Sequence, residues 1–155
     1  MNYLDVPITL LLVEDDEAQL RLFAHLLLRS FGTDINLLQA ADSETASAII
    51  ESRHVDVLLT DLALPGHDGL TLLRQIKQRN RSAQAILMTA YSTSNALLEA
   101  LDTGAVDYVL KPVDHGLLLR LVRQAQQRIA RWREALAGTF ELMRGEEGPK
   151  HEVGV

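Results

Sequence analysis

The chain has 155 residues, enough for one well-buried domain and few for two. Its net charge of −6 argues against direct nucleic-acid binding by the domain as a whole, and the lack of cysteine excludes disulfides, thiolate metal sites and thiol redox switching. With only seven Phe, Tyr and Trp residues, any core must be aliphatic.

The N-terminal "MNYLDVP" lacks the basic start of a signal peptide, and the longest apolar run, "ITLLLV", is too short to span a bilayer. These features predict a cytoplasmic protein with no membrane partner. In chain order, short apolar runs predict strands over Ile8–Val13, Ile35–Gln39, Asp56–Thr60, Ala85–Thr89 and Val106–Leu110. Amphipathic spacing predicts helices over Glu17–Ser30, Ser43–Ser52, Leu70–Arg79 and Ser94–Thr103, with a long one from near His115. Such alternation favours right-handed crossovers and a five-stranded parallel sheet covered on both faces, in the flavodoxin-like order 2-1-3-4-5.

Turn residues agree with these boundaries. Gly32 and Gly104 follow helices, where a left-handed residue is often needed. Asp16 and Glu17, Asp42 or Ser43, and the Ser92–Ser94 stretch suit helix N-termini. The histidines His54, His67, His115 and His151 have no metal-like spacing and are expected at the surface. His25 is expected to be structural.

Ligands of open parallel sheets bind beyond the carboxyl ends of the strands. Four of the predicted strands deliver polar residues there: Glu14 and Asp15 after the first, Asp61 after the third, Thr89 at the end of the fourth and Lys111 after the fifth. Clustered carboxylates repel unless a cation shares the site. Lys111 supplies one positive charge, and the all-oxygen donor set suits Mg²⁺ or Mn²⁺. A carboxylate can attack phosphorus to form an acyl phosphate, with the metal, the ammonium and the hydroxyl steadying the phosphoryl oxygens.

The segments "LLLVEDDE", "VLLTDLALPGHDGL", "AILMTAYS" and "GAVDYVLKP", in this order, resemble the receiver domain of two-component response regulators over residues 8 to about 127. The resemblance implies Asp61 as the acceptor of a phosphoryl group from a sensor histidine kinase or phosphotransfer protein. It implies Mg²⁺ held by Glu14, Asp15, Asp61 and the backbone carbonyl of Ala63. Lys111 and Thr89 become the phosphoryl-pairing lysine and hydroxyl, with Thr89 and Tyr108 the switch pair and Lys111–Pro112 a cis bond. Ala63 and Tyr91, each two residues beyond a site residue, become positions that tune hydrolysis.

Other readings are a phosphorylation-independent pseudo-receiver, a haloacid dehalogenase-type phosphatase and a flavin protein. The first would be expected to lack an acid or the lysine. The second needs an acid where Ala63 stands, and the third a Gly/Ser/Thr-rich loop after strand 1. The domain is therefore read as a signalling module, not an enzyme, spanning residues 7–127.

Residues 128–144 are read as a helical extension and 145–155 as a disordered tail. Apolar positions Leu118, Val122, Ala125, Ile129, Trp132, Leu136, Phe140 and Met143 follow a near-heptad seam, of which the first two turns or so suffice to cover the sheet. The remainder predicts a homodimer, most simply parallel, through this helix, or alternatively one through the strand 4–helix 4–strand 5 face. Gly138 and Thr139 are expected to end the seam near Ala137. Arg120, Arg123, Arg128, Arg131 and Arg133 are read as its solvated flank.

Overall fold

The computed structural model describes residues 2–90 and 94–146. Five parallel strands, β1 (Ile8–Val13), β2 (Ile35–Ala40), β3 (Val57–Asp61), β4 (Gln84–Thr89) and β5 (Asp107–Leu110), lie in the order β2-β1-β3-β4-β5. The helices are α1 (Glu17–Phe31), α2 (Ser43–Ser52), α3 (Gly69–Arg79), α4 (Ser94–Thr103) and α5 (His115–Glu146). The flavodoxin-like topology is thus the one expected, with element ends shifted by a residue or two.

The period-two alternation along β1 sends Leu10 and Leu12 to one face of the sheet and Leu11 and Val13 to the other. The first face meets Phe23, Leu27 and Phe31 of α1 and Leu118, Val122, Ala125 and Ile129 of α5. The second meets Ile50 of α2, Leu70, Leu73 and Ile76 of α3, and Ala100 of α4. Central strands buried on both faces explain why β3 and β4 read as continuous apolar runs. An Arg74–Glu99 ion pair links α3 to α4 on the surface.

Asp16, Asp42 and Asp68 cap α1, α2 and α3, each accepting from the backbone N–H three residues on. Asp42, not Ser43, is therefore the α2 cap. Gly32 and Gly104 carry φ of 52° and 98°, as their positions after helices require. The N-terminus of α4 adjoins Ser92 and Thr93, which lie outside the described residues.

Three expectations about the last helix are corrected. α5 runs unbroken through Gly138 and Thr139 to Glu146, entering the stretch read as a tail. The Thr139 hydroxyl donates to the Ala135 carbonyl 2.8 Å away, so it remains within the helical pattern instead of ending it. The buried face continues past two turns, with Ile129 and Ala130 still covered. Nor is Arg133 a solvated flank: it donates to the carbonyls of Val6 and Pro7 and to Asp56, at 3.0–3.2 Å, while Arg123 lies 4.9 Å over the Phe31 ring.

Asp56 is buried and accepts from the Thr9 N–H at 2.8 Å and from His54 at 3.0 Å in addition to Arg133. This cluster ties α5 to the amino ends of the strands. His25 is exposed. Among the described residues no helix is long and apolar enough to cross a membrane.

Candidate functional site

At the opposite pole, parallel strands end together, and β1 and β3 are direct neighbours. Their register brings the first residue beyond β1, Glu14, and the last of β3, Asp61, to one depth. Glu14 is only 1% exposed. Its backbone N–H bonds the Ala40 carbonyl, its Oε1 accepts from the Asp16 N–H at 3.2 Å, and its Oε2 accepts from Lys111 Nζ at 2.8 Å.

Asp61 accepts from the Ala63 N–H through Oδ1 at 3.1 Å and from Lys111 Nζ through Oδ2 at 2.7 Å. The Lys111 ammonium is completed by Gln19 Oε1 at 3.0 Å. Lys111 also donates its own backbone N–H to the Thr89 carbonyl at 2.7 Å, so β4 and β5 place the lysine together.

Carboxylate oxygens of Glu14, Asp15 and Asp61 lie within 4.8 Å of one another, with Asp15 exposed at the mouth. Burial pushes the Glu14 carboxyl above the ordinary range, against the lowering pull of Lys111 and the Asp16 N–H. Burial alone would lower the Lys111 pKa, but its bonds to Asp61 and Glu14 outweigh that and hold it above the usual lysine value. Three carboxylates against one ammonium leave a surplus of negative charge, and every donor is a hard oxygen. That donor set fits Mg²⁺ or Mn²⁺.

The loop after β3 is clasped from outside. Ser43 Oγ donates to the Pro65 carbonyl at 2.9 Å and accepts from the His67 N–H at 3.0 Å. Gly66, at φ 91°, provides the turn. At Gly69 a Cβ would come within 2.5 Å of the Asp61 carbonyl oxygen, so only glycine lets α3 start this close to the acid.

Thr89 is buried at the tip of β4, and its side chain hydrogen-bonds to that of Tyr108 on β5. Burial raises the Tyr108 pKa, with the Thr89 bond opposing. The Lys111–Pro112 bond is cis.

The predicted acids, the lysine and Thr89 therefore share one pole, with Tyr108 linked to them through Thr89. Ala63 is exposed beside Asp61, and Tyr91 lies outside the described residues. Gln19 and Ser43 escaped the sequence reading as site residues. Gln19 sits at helical spacing after the acidic run, which is a weak signal, and Ser43 reads equally well as a cap.

A cluster of three carboxylates with one lysine at the carboxyl ends of a 2-1-3-4-5 parallel sheet defines a doubly wound α/β module with its candidate site at the strand tips. The family description "Response regulator receiver domain" matches residues 10–123, and the chain belongs to that family of two-component regulators. It is 37% identical over 113 residues to the DNA-binding transcriptional regulator NtrC of Salmonella typhimurium, covering 73% of this chain and 24% of that protein. With the regulatory protein AtoC of Escherichia coli it shares 35% identity over 119 residues, 76% of this chain and 25% of AtoC. The chain thus spans about a quarter of the length of these curated relatives.

Among solved structures, the signal receiver domain of an HD domain-containing protein from Pseudomonas fluorescens Pf-5 superposes with a TM-score of 0.71 at 32% identity. That match covers 78% of this chain and 95% of the other. A CheY-like receiver domain protein from Methanospirillum hungatei gives 0.70 at 25% identity, covering 81% and 98%.

Proposed function

We propose that the chain accepts a phosphoryl group on Asp61 from a phosphohistidine of a sensor kinase or phosphotransfer protein and changes its surface in response. The observation that carries this reading is the convergence of Asp61, Glu14, Asp15 and Lys111, with Lys111 Nζ within 2.8 Å of both Glu14 and Asp61.

The Ala63 N–H on Oδ1 fixes the rotation of the Asp61 carboxylate. An Asp61 oxygen attacks phosphorus, the phosphorus–nitrogen bond breaks, and the imidazole leaves with that electron pair. Lys111 then exchanges part of its hold on Asp61 for a phosphoryl oxygen, and the Thr89 hydroxyl takes another. Glu14, Asp15, Asp61 and the Ala63 carbonyl would hold Mg²⁺, which when bound supplies positive charge to the phosphoryl oxygens. Drawing Thr89 toward the phosphoryl group loosens its bond to Tyr108 and biases the β4–α4–β5 face between two states.

An apolar groove of about 350 Å³, lined by Leu97, Leu98, Leu101 and Tyr108 among others, adjoins that face, so movement of Tyr108 reshapes it. Ala63 and Tyr91 are the positions assigned to setting acyl-phosphate lifetime. The exclusion of nucleic acid drawn from charge concerns this domain's own surface. Control of a nucleic-acid-binding output remains compatible with it, since NtrC is a DNA-binding regulator.

The test is intact mass after incubation with acetyl phosphate and Mg²⁺. One added phosphoryl group, absent in D61N and in metal-free controls, is the expected result. No adduct under trapping conditions would overturn the proposal in favour of a pseudo-receiver that signals by binding alone.

A further inference from the structure

Lys111 Nζ has three acceptors among the described residues: Asp61 Oδ2 at 2.7 Å, Glu14 Oε2 at 2.8 Å and Gln19 Oε1 at 3.0 Å. An ammonium carries three N–H donors, so the lysine must release one acceptor before it can hold a phosphoryl oxygen. The three partners differ in what release entails. Glu14 is buried, and a buried carboxylate that loses its cation is left uncompensated. Asp61 gives up its negative charge when one of its oxygens bonds to phosphorus, so its grip on the ammonium weakens as transfer proceeds. Gln19 is neutral and half-buried, and transfer leaves its amide unchanged.

Gln19 is also fixed through its backbone. The Asp16 N–H donates to Glu14 Oε1 at 3.2 Å, and the Gln19 N–H donates to Asp16 Oδ1 at 2.9 Å. The Gln19 side chain accepts from Lys111, which donates in turn to Glu14 Oε2, so the four residues close a ring of hydrogen bonds. The capping bond that starts α1 therefore sets where the amide stands. Because an ammonium only donates, it is the carbonyl oxygen of the Gln19 amide that faces it. At the other end of the lysine, its backbone N–H on the Thr89 carbonyl fixes the base of the stem.

We infer that Gln19 is a positioning residue for phosphoryl transfer to Asp61, acting through Lys111. The inference rests on the phosphoryl-acceptor reading above and adds a residue to it. When Asp61 Oδ2 lets go, Gln19 and Glu14 still hold Nζ between them, which leaves its third N–H for the phosphoryl oxygen. With Glu14 alone, the ammonium would pivot about a single bond at the end of a flexible stem. An amide suits this task better than a carboxylate would. It supplies an acceptor without adding to the surplus of negative charge, which would repel the incoming phosphoryl group. Leucine at position 19 has similar bulk and no acceptor, so Q19L removes the tether alone.

The test times phosphoryl uptake by intact mass with acetyl phosphate and Mg²⁺, for wild type, Q19L, K111M and the double variant. Q19L is expected to slow uptake at saturating acetyl phosphate by about tenfold, while the half-saturating concentration stays within about twofold of wild type. In K111M, where no ammonium remains to be held, adding Q19L should slow uptake no further. The lysine itself supplies a readout that needs neither phosphoryl donor nor metal. In chelator, the ¹⁵N resonance of Lys111 Nζ should be sharp and slow to exchange in wild type and broadened in Q19L. Uptake by Q19L at the wild-type rate, an equal slowing in the K111M background, or a Lys111 resonance indifferent to Q19L would each overturn the inference and leave the phosphoryl-acceptor reading standing. Absence of uptake by wild type would overturn that reading and this inference with it.

Discussion

Replacing Lys111 by methionine isolates the electrostatics of the pocket, because methionine keeps most of the stem and removes only the ammonium. Lys111 is 14% exposed on its side chain and pairs with Glu14 and Asp61, themselves 1% and 9% exposed. Removing one partner of a buried pair costs 3–5 kcal/mol when the other charge is left uncompensated. Asp15 opens the pocket to solvent, so the lower end, about 3 kcal/mol, applies here. For a chain of this length that lowers Tm by about 9 °C in chelator at neutral pH.

The loss has a defined pH dependence. Burial already holds the Glu14 pKa above 4.5 in the folded state, so ionised Glu14 penalises folding above that raised pKa. Removing its cation enlarges the penalty. As pH falls through the raised pKa the carboxyl takes up a proton and the difference between K111M and wild type should shrink. Millimolar Mg²⁺ should restore part of the lost Tm by replacing the missing positive charge. Thermal unfolding followed by circular dichroism in chelator, in Mg²⁺ and across the acidic range measures all three effects. A K111M protein as stable as wild type in chelator at neutral pH would refute the reasoning, because the acids would then not depend on the lysine.

Two further outcomes are expected at other places in the fold. R133A leaves two backbone carbonyls and buried Asp56 short of a donor; because Arg133 is partly exposed, the loss should be about 2 kcal/mol, read as a Tm fall of about 6 °C, with R133K recovering part of it. Asp42 is held below its ordinary 3.8 by the Thr45 N–H, so its cap stabilises the fold above pH 3.8 and fades as pH falls through the lowered pKa. D42A should therefore unfold at lower temperature than wild type at neutral pH and converge on it in strong acid, as thermal melts across pH would show.

Much of this architecture could be read before any coordinates. The apolar runs ending at Val13, Asp61 and Thr89 are so short and so regularly separated by helical spacing that a parallel sheet was the economical solution, and its strand tips then collected the acids and the lysine. Legibility failed where a side chain's role depends on residues far away in sequence. Asp56 and Arg133 are 77 residues apart, and neither looks unusual alone. Gln19 is one polar residue on an amphipathic helix until Lys111 reaches it. Ser43 sits at a plausible cap, but Asp42 took that role, which left the Ser43 hydroxyl to hold the loop after β3. The break expected at Gly138 and Thr139 overweighted intrinsic propensity, an effect of about 1 kcal/mol for glycine, against the continuity of a helix 32 residues long.

The Arg133 clasp also fixes the azimuth of α5. Whatever is joined to the end of that helix inherits its rotational phase about the axis, as a pointer inherits the angle of its spindle. One residue inserted after Arg133 turns everything beyond it by about 100° and advances it by 1.5 Å, whereas seven residues return it to nearly the same heading about 10 Å farther out. An output element grafted at this point would therefore respond to linker length periodically, in steps of the heptad.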